Sequence, residues 1–238
     1  MSTVWGQSDR PLSSDQCLLP VAFKVEYNLD EIKGAMQKDS AFDIRAAVAA
    51  AKDTLIIPKP ASGQPALVML CGLPGTGKST LAGRLLHRLP AVIVESDRVR
   101  RKLFTPPTYS AEESRHVHKV CHILIGWYLR HYYHVVYDAT NLYEHHRAFG
   151  YRLAARCGAR LVVAELTARD EVIRERLMPR RGGDRVNRDP QNYSDADWQV
   201  YLRMRRRAEP IQCDHITLDT TDGDVERGVI CVLQAVGG

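Results

Sequence analysis

Apolar residues recur along this chain with two periods that take turns. Strand-like segments at 66–71, 91–95, 134–138, 160–166 and 214–218 read as the strands of a sheet covered on both faces. Between and after them, apolar residues lie three or four apart. Leu81, Leu85 and Leu89 form one such stripe, and Val117, Val120, Cys121, Leu124 and Trp127 a second. Val172, Ile173 and Leu177 form a third, and Val225, Val229, Val232 and Val236 a fourth. Strands alternating with helices predict an α/β fold, with a parallel five-stranded sheet covered by helices on both faces.

Polar residues punctuate the pattern. Ser110 followed by Glu113 has the form of a capping box ahead of the second helix, and Gly158 suits the end of the helix after the third strand. Upstream of residue 66 the pattern changes. Residues 1–16 carry few apolar side chains and read as a flexible arm, while 17–64 read as a helical N-terminal extension and linker. Within it, Asn28 and Glu31 resemble a helix start, and Ile44, Ala47, Val48, Ala51 and Leu55 share a helical face. The linker runs from Pro58 to Pro65, and residues 65–238 are expected to form the main domain.

With 238 residues, the chain is long enough for one α/β domain and a short appendage. Charged residues make up 26% and no apolar stretch approaches bilayer length, so a membrane span is not expected. The N-terminus lacks the order of a secretory signal, and six scattered cysteines without a C-x-x-C pair suit reduced thiols. A cytoplasmic location is the expectation. The net charge of +5 decides little, but arginines crowd at 98–101, 174–188 and 203–207, where they could meet a polyanion.

Chemistry enters where the first strand ends. Residues 72–80 read Gly-Leu-Pro-Gly-Thr-Gly-Lys-Ser-Thr, a P-loop between a strand and a helix. Glycines at 72, 75 and 77 let the loop curl so that successive N–H groups turn toward phosphate oxygens, and Pro74, Thr76, Lys78, Ser79 and Thr80 complete the nucleotide-binding loop. Lys78 can reach the outer phosphates of ATP, and Ser79 can ligate magnesium. In an open α/β sheet ligands bind beyond the carboxyl ends of the strands, so the polar groups at the other strand ends should face the same cleft.

Asp97 follows the second strand and is the candidate proton acceptor. If 97–104 is a helix, Arg100 and Arg101 share its face, and cations beside this carboxylate are expected to lower its basicity. Asp138 ends the third strand, a place suited to a carboxylate directed at magnesium, with Thr140 and Asn141 next to orient substrate. A third stretch, Arg169 to Asp189, holds six arginines between 174 and 188 around Pro179 and Gly182-Gly183 and reads as a lid at about 174–193. His118 and His122 lie four apart, but no third ligand at suitable spacing completes a transition-metal site.

Together these motifs resemble the polynucleotide-kinase-like branch of the P-loop kinases, a predicted-kinase branch of AAA type, over roughly residues 65–210. The resemblance implies a three-layer P-loop kinase fold. It implies that Asp97 in Glu-Ser-Asp-Arg-Val-Arg is the general base and that Arg100 contacts an acceptor-side phosphate. It matches Tyr-Asp-Ala-Thr-Asn at Asp138, Thr140 and Asn141 to a second family motif, and Arg176 and Arg180 to paired lid arginines on the ATP phosphates. The implied activity is transfer of the γ-phosphate of ATP, with Mg2+, to a hydroxyl. The 5′-hydroxyl of RNA or DNA is the favoured acceptor, because Arg100, Arg101 and Lys102 stand beside the proposed base. A small-molecule kinase acting on an antibiotic, sugar or nucleotide-sugar hydroxyl is the alternative, and a nucleotide-dependent switch or binding module belongs to a different class.

Overall fold

The structure is a computed structural model that describes residues 42–178 and 196–237. The chain divides into two units, 1–41 and 42–238, and everything described belongs to the second. The expected arm, the helix start at Asn28 and most of the expected lid, Arg180 included, lie outside the described residues.

The first described helix, α1, spans Ile44–Lys52. The Asp43 carboxylate accepts from Arg45 N and Ala46 N at 2.9 and 3.1 Å, so it caps the helix. The helix stops three residues before Leu55, which the apolar spacing had included. α1 packs on the helices that follow the second strand and shares their compact unit, although the sequence pattern had grouped it with the N-terminal extension.

The sheet has the order β2-β3-β1-β4-β5 and every pairing is parallel. Its strands are β1 (Ala66–Cys71), β2 (Ala91–Glu95), β3 (His134–Asp138), β4 (Arg160–Thr167) and β5 (Ile216–Asp219). Four lie within a residue of the apolar runs, while β5 starts two residues later than expected. The helices between and after them are α2 (Lys78–Leu86), α3 (Ser96–Leu103), α4 (Ala111–Arg130), α5 (Glu144–Arg156), α6 (Asp170–Leu177), α7 (Trp198–Arg205) and α8 (Glu226–Gly237). None of the described helices is long and apolar enough to cross a membrane.

Alternation along the strands divides the core. Val68, Leu70, Val136, Val162, Ala164 and Leu166 pack against Leu81, Ala82 and Leu85 of α2 and Val229 and Val232 of α8. The other sheet face takes α4 and α5. Tyr137 reaches His118 of α4 there, and Gly150 of α5 lies so close to Met69 that a Cβ would run into the methionine side chain. Because Asp138 lies on the same strand face as Val136, its carboxylate is directed toward α2 and not toward α4 and α5.

Candidate active site

At the carboxyl end of β1 the loop bends through left-handed glycines, with φ of +144° at Gly72, +82° at Gly75 and +88° at Gly77. Gly72 has a packing reason as well. A Cβ there would lie 2.5 Å from Leu166 O and 2.8 Å from Thr76 Oγ1. Gly77 is the N-cap of α2 and no side chain caps that helix, so its first N–H groups are left to an anion. The Thr76 hydroxyl donates to Leu73 O at 2.8 Å and Gly72 N to Thr140 O at 3.1 Å, which sets the loop against the end of β3.

Lys78 turns back over this loop, its Nζ donating to Leu73 O at 2.9 Å. Burial pulls its pKa down, opposed by the charges of Asp138 and Asp97, so all three groups act on one another. The Ser79 hydroxyl bonds to the Asp138 carboxylate, whose pKa is raised by burial against the pull of Lys78 and of that bond. A hydroxyl beside a carboxylate is a hard-oxygen pair that suits magnesium, a metal that completes its shell with water and phosphate oxygens. Among the described residues no three His, Cys, Asp or Glu side chains converge to hold a metal by themselves.

Asp97 lies in the first turn of α3, immediately beyond β2. Its pKa is raised: burial outweighs the opposing charges of Arg100 and Lys78. The cationic neighbours suggested lowered basicity, and the structure reverses that expectation, because desolvation of the carboxylate exceeds what the cations return. Glu95, paired in register with Asp138 on the neighbouring strand, is pushed up to about 8 by burial and then by the Asp138 charge. It makes an ion pair with Arg98 at 3.5 Å. The sequence gives Glu95 a place at the end of the second strand and no role of its own.

Arg100 is not a bare cation. It is buried, and its Nη1 donates to Glu113 at 2.5 Å while Nη2 reaches Ser114 Oγ at 3.4 Å. Its Nε has no partner. Glu113, expected only to close a capping box, does something else. The Ser110 hydroxyl accepts from Glu113 N as predicted, but the Glu113 carboxylate also receives Thr108 N, Thr108 Oγ1 and Tyr109 N. Burial pushes this carboxyl upward, yet the bonds from Arg100, Thr108 and Tyr109 prevail and hold it at about 2. Arg101, on the same helix, is half-buried.

The remaining predicted residues take mixed positions. Asn141 is buried in a left-handed conformation, φ +47°, with its Nδ2 donating to Leu70 O at 2.7 Å, so that amide ties the β3 turn to β1. Its Oδ1 has no partner, and with Thr140 and Gly72 it lines a cavity of about 250 Å³ reaching to Tyr201 of α7. Arg176, on α6, spans the loop from outside: Nη1 donates to Gly75 O and Thr220 Oγ1, each at 3.1 Å, and Nη2 to Thr220 O at 2.7 Å. Sequence reading had given Thr220 no part. The histidines pack as aromatic surface: His118 Nδ1 meets Tyr137 Oη at 2.9 Å and His122 stacks on Phe149. Burial, with His146 and Arg100 adding to it, holds His118 down at about 4.

Comparison with known proteins agrees with this architecture. A family model described as an AAA domain matches residues 67–211. None of the curated proteins is significantly similar in sequence. Among solved structures, a candidate kinase from Chloroflexus aurantiacus J-10-fl is 20% identical, with a TM-score of 0.56 over 73% of this chain and 99% of its own. The APS kinase CysC of Mycobacterium tuberculosis, solved with AMPPNP and APS, is 17% identical, with a TM-score of 0.52 over 74% and 99%. Kti12 of Chaetomium thermophilum, solved with ADP-AlF3, is 17% identical, with a TM-score of 0.53 over 72% and 100%. At such identities the likeness establishes the fold, which is that of the P-loop kinases.

Proposed function

The chain belongs to this AAA domain family, and from that premise we propose that it is a kinase moving the γ-phosphate of ATP to a hydroxyl. The carrying observation is Asp97. It stands half-buried at the start of α3, within electrostatic reach of Lys78 from the phosphate loop and of Arg100 one turn on. A switch needs a positioned water. A kinase needs a carboxylate where the acceptor hydroxyl arrives, and the raised pKa makes Asp97 a better base than an ordinary aspartate.

In the proposed reaction the acceptor oxygen attacks the γ-phosphorus, the bond from that phosphorus to the β–γ bridging oxygen breaks, ADP leaves, and the hydroxyl proton passes to Asp97. Gly75, Gly77 and the start of α2 offer N–H groups to the phosphates, and Lys78 exchanges its bond to Leu73 O for a phosphate oxygen. Ser79 and Asp138 would hold Mg2+, which when bound supplies positive charge on the phosphate oxygens. Arg176 already lies against the loop, and Arg180 is proposed as its companion on the lid.

The favoured acceptor is the 5′-hydroxyl of RNA or DNA, supported by the row Arg100, Arg101 and Lys102 beyond the base, with Lys102 exposed. A compact small-molecule hydroxyl is the second reading, favoured by the ion pair with Glu113, which cancels the charge of Arg100. Incubation with γ-labelled ATP and a panel of 5′-hydroxyl oligonucleotides, nucleosides, sugars and aminoglycosides separates them. Label on oligonucleotides alone is expected, and label on small acceptors alone would overturn the nucleic-acid choice.

A further inference from the structure

At the carboxyl ends of β1 and β4 lies the cavity of about 250 Å³, and no step of the proposed reaction uses it. It is roomy enough for a small organic molecule. Gly72 and Leu73 of the phosphate loop line it, together with Thr140 and Asn141 from the turn after β3, Glu165 of β4 and Tyr201 of α7. Asp97 follows β2, which the order β2-β3-β1-β4-β5 places two strands away from β1. The cavity is therefore set apart from the proposed base, yet it shares a wall with the phosphate loop.

Asn141 is held in this wall from three directions. Its Nδ2 donates to Leu70 O, Gly72 N donates to the carbonyl of Thr140, and Arg147 Nη1 donates to Asn141 O at 2.8 Å and to Leu142 O at 3.1 Å. Its Oδ1 stays buried without a partner, and an amide oxygen left unpaired in the interior is costly. Glu165 adds a carboxylate whose ionic partner among the described residues is His215, with Nε2 at 3.5 Å. The two guanidinium groups that line the cavity are engaged elsewhere. Arg147 bonds Glu144 and the carbonyls of Glu209 and Pro210, and Arg205 bonds Asp170. What the cavity offers is a fixed, unpaired acceptor and a carboxylate, and the complement of that pair is a donor that carries positive charge.

We propose that this cavity is an effector site for a small organic ammonium ion, held by Glu165 and Asn141 Oδ1, and that its occupancy changes the affinity of the phosphate loop for ATP. The inference goes beyond the kinase reading and needs only nucleotide binding at that loop. Coupling runs through the backbone the two sites share. Gly72 N is bonded to Thr140 O, and Leu73 O accepts from Thr76 Oγ1 and from Lys78 Nζ, a bond that Lys78 gives up when it meets a phosphate. An ion seated against Gly72 and Leu73 biases that exchange, and linkage requires ATP to change the ion's affinity by the same factor. Arg147 is the positioning residue, since its bonds to Asn141 O and Leu142 O fix the turn that presents the amide.

The test is calorimetry on the full chain at constant ionic strength, with n-butylammonium chloride as the probe and n-butanol as its neutral match. Wild type should bind the ammonium at millimolar concentration and the alcohol about tenfold more weakly. Glu165→Gln should weaken the ammonium about tenfold while leaving ATP affinity measured without the probe within about twofold of wild type. Ala168→Leu narrows the same cavity without touching its charge and should abolish binding, with thermal melting of both variants reporting that they are folded. Saturating ammonium should shift the Kd for ATP about fivefold in wild type and not in Glu165→Gln. Equal binding of ammonium and alcohol, or an ammonium affinity unchanged in both variants, overturns the site. No heat with either probe means that water alone fills the cavity and overturns it too, and a Kd for ATP unmoved by the ammonium overturns the effector role. Failure of phosphate transfer to every acceptor would sink the kinase reading and leave these binding results standing.

Discussion

Arg176 clasps Thr220: Nη2 donates to the threonine carbonyl at 2.7 Å and Nη1 to its hydroxyl at 3.1 Å, while Nη1 also reaches Gly75 O. The Thr220 hydroxyl in turn donates to Thr76 O at 3.0 Å. Helix α6, the loop before α8 and the phosphate loop are thereby tied together by one exposed side chain and one buried one.

Because that clasp holds the phosphate loop from the solvent side, Arg176→Ala is expected to leave the fold almost unchanged, within about 1 kcal/mol in urea unfolding. It should slow phosphate transfer by about tenfold or more, since the same guanidinium is proposed to meet charge developing on the phosphates. Lys at this position should restore little, because a single ammonium cannot reach Gly75 O and Thr220 O in the same forked geometry. Full activity in Arg176→Ala would remove the residue from the mechanism.

Asp97→Asn keeps the shape and removes the base. ATP affinity, read by calorimetry, should stay within severalfold, while transfer drops by orders of magnitude. Burial raises the Asp97 pKa, so the charged form needed for catalysis is lost as pH falls through a value above the ordinary 3.8. The acid limb of kcat/KM for wild type should therefore lie above that value, and the residual rate of Asp97→Asn should lack it. An identical limb in both proteins would assign it to another group.

Glu113→Gln tests the buried pair with Arg100. The folded carboxyl is held at about 2 against a usual 4.5, so its stabilisation is full above 4.5 and is lost as pH falls toward 2. At pH 7 the variant should be less stable than wild type by about 3 kcal/mol, because it leaves a buried guanidinium without its counter-charge. Unfolding curves taken from pH 7 downward should show the gap closing between 4.5 and 2. A gap independent of pH would mean that shape, and not charge, carries the interaction.

Gly72→Ala combines two faults at one position. At φ +144° a side chain is strained, and the added Cβ would meet the carbonyl oxygen of Leu166, a backbone atom that cannot rotate away. Destabilisation on the order of 3 kcal/mol is expected, together with loss of nucleotide binding. Gly63→Ala, where a Cβ meets nothing within 4 Å, serves as the control and should change neither.

The strands, the phosphate loop and the helix that the sequence allowed over 97–104 were readable within a residue or two because each is encoded within a short window. Hydrophobic period, glycine conformation and capping residues act over a few positions, and no distant partner is needed to recognise them. The same locality brought Lys78, Ser79, Asp97 and Asp138 to one cleft, since each closes or follows a strand of a single parallel sheet. Partners far apart along the chain were a different matter. Arg100 finds Glu113 across a loop, Arg176 finds Thr220 44 residues away, and Asn141 finds Leu70 71 residues back. Tertiary structure also decided the direction of the Asp97 shift: sequence shows the cations beside a carboxylate, but how much water it loses depends on every element packed around it.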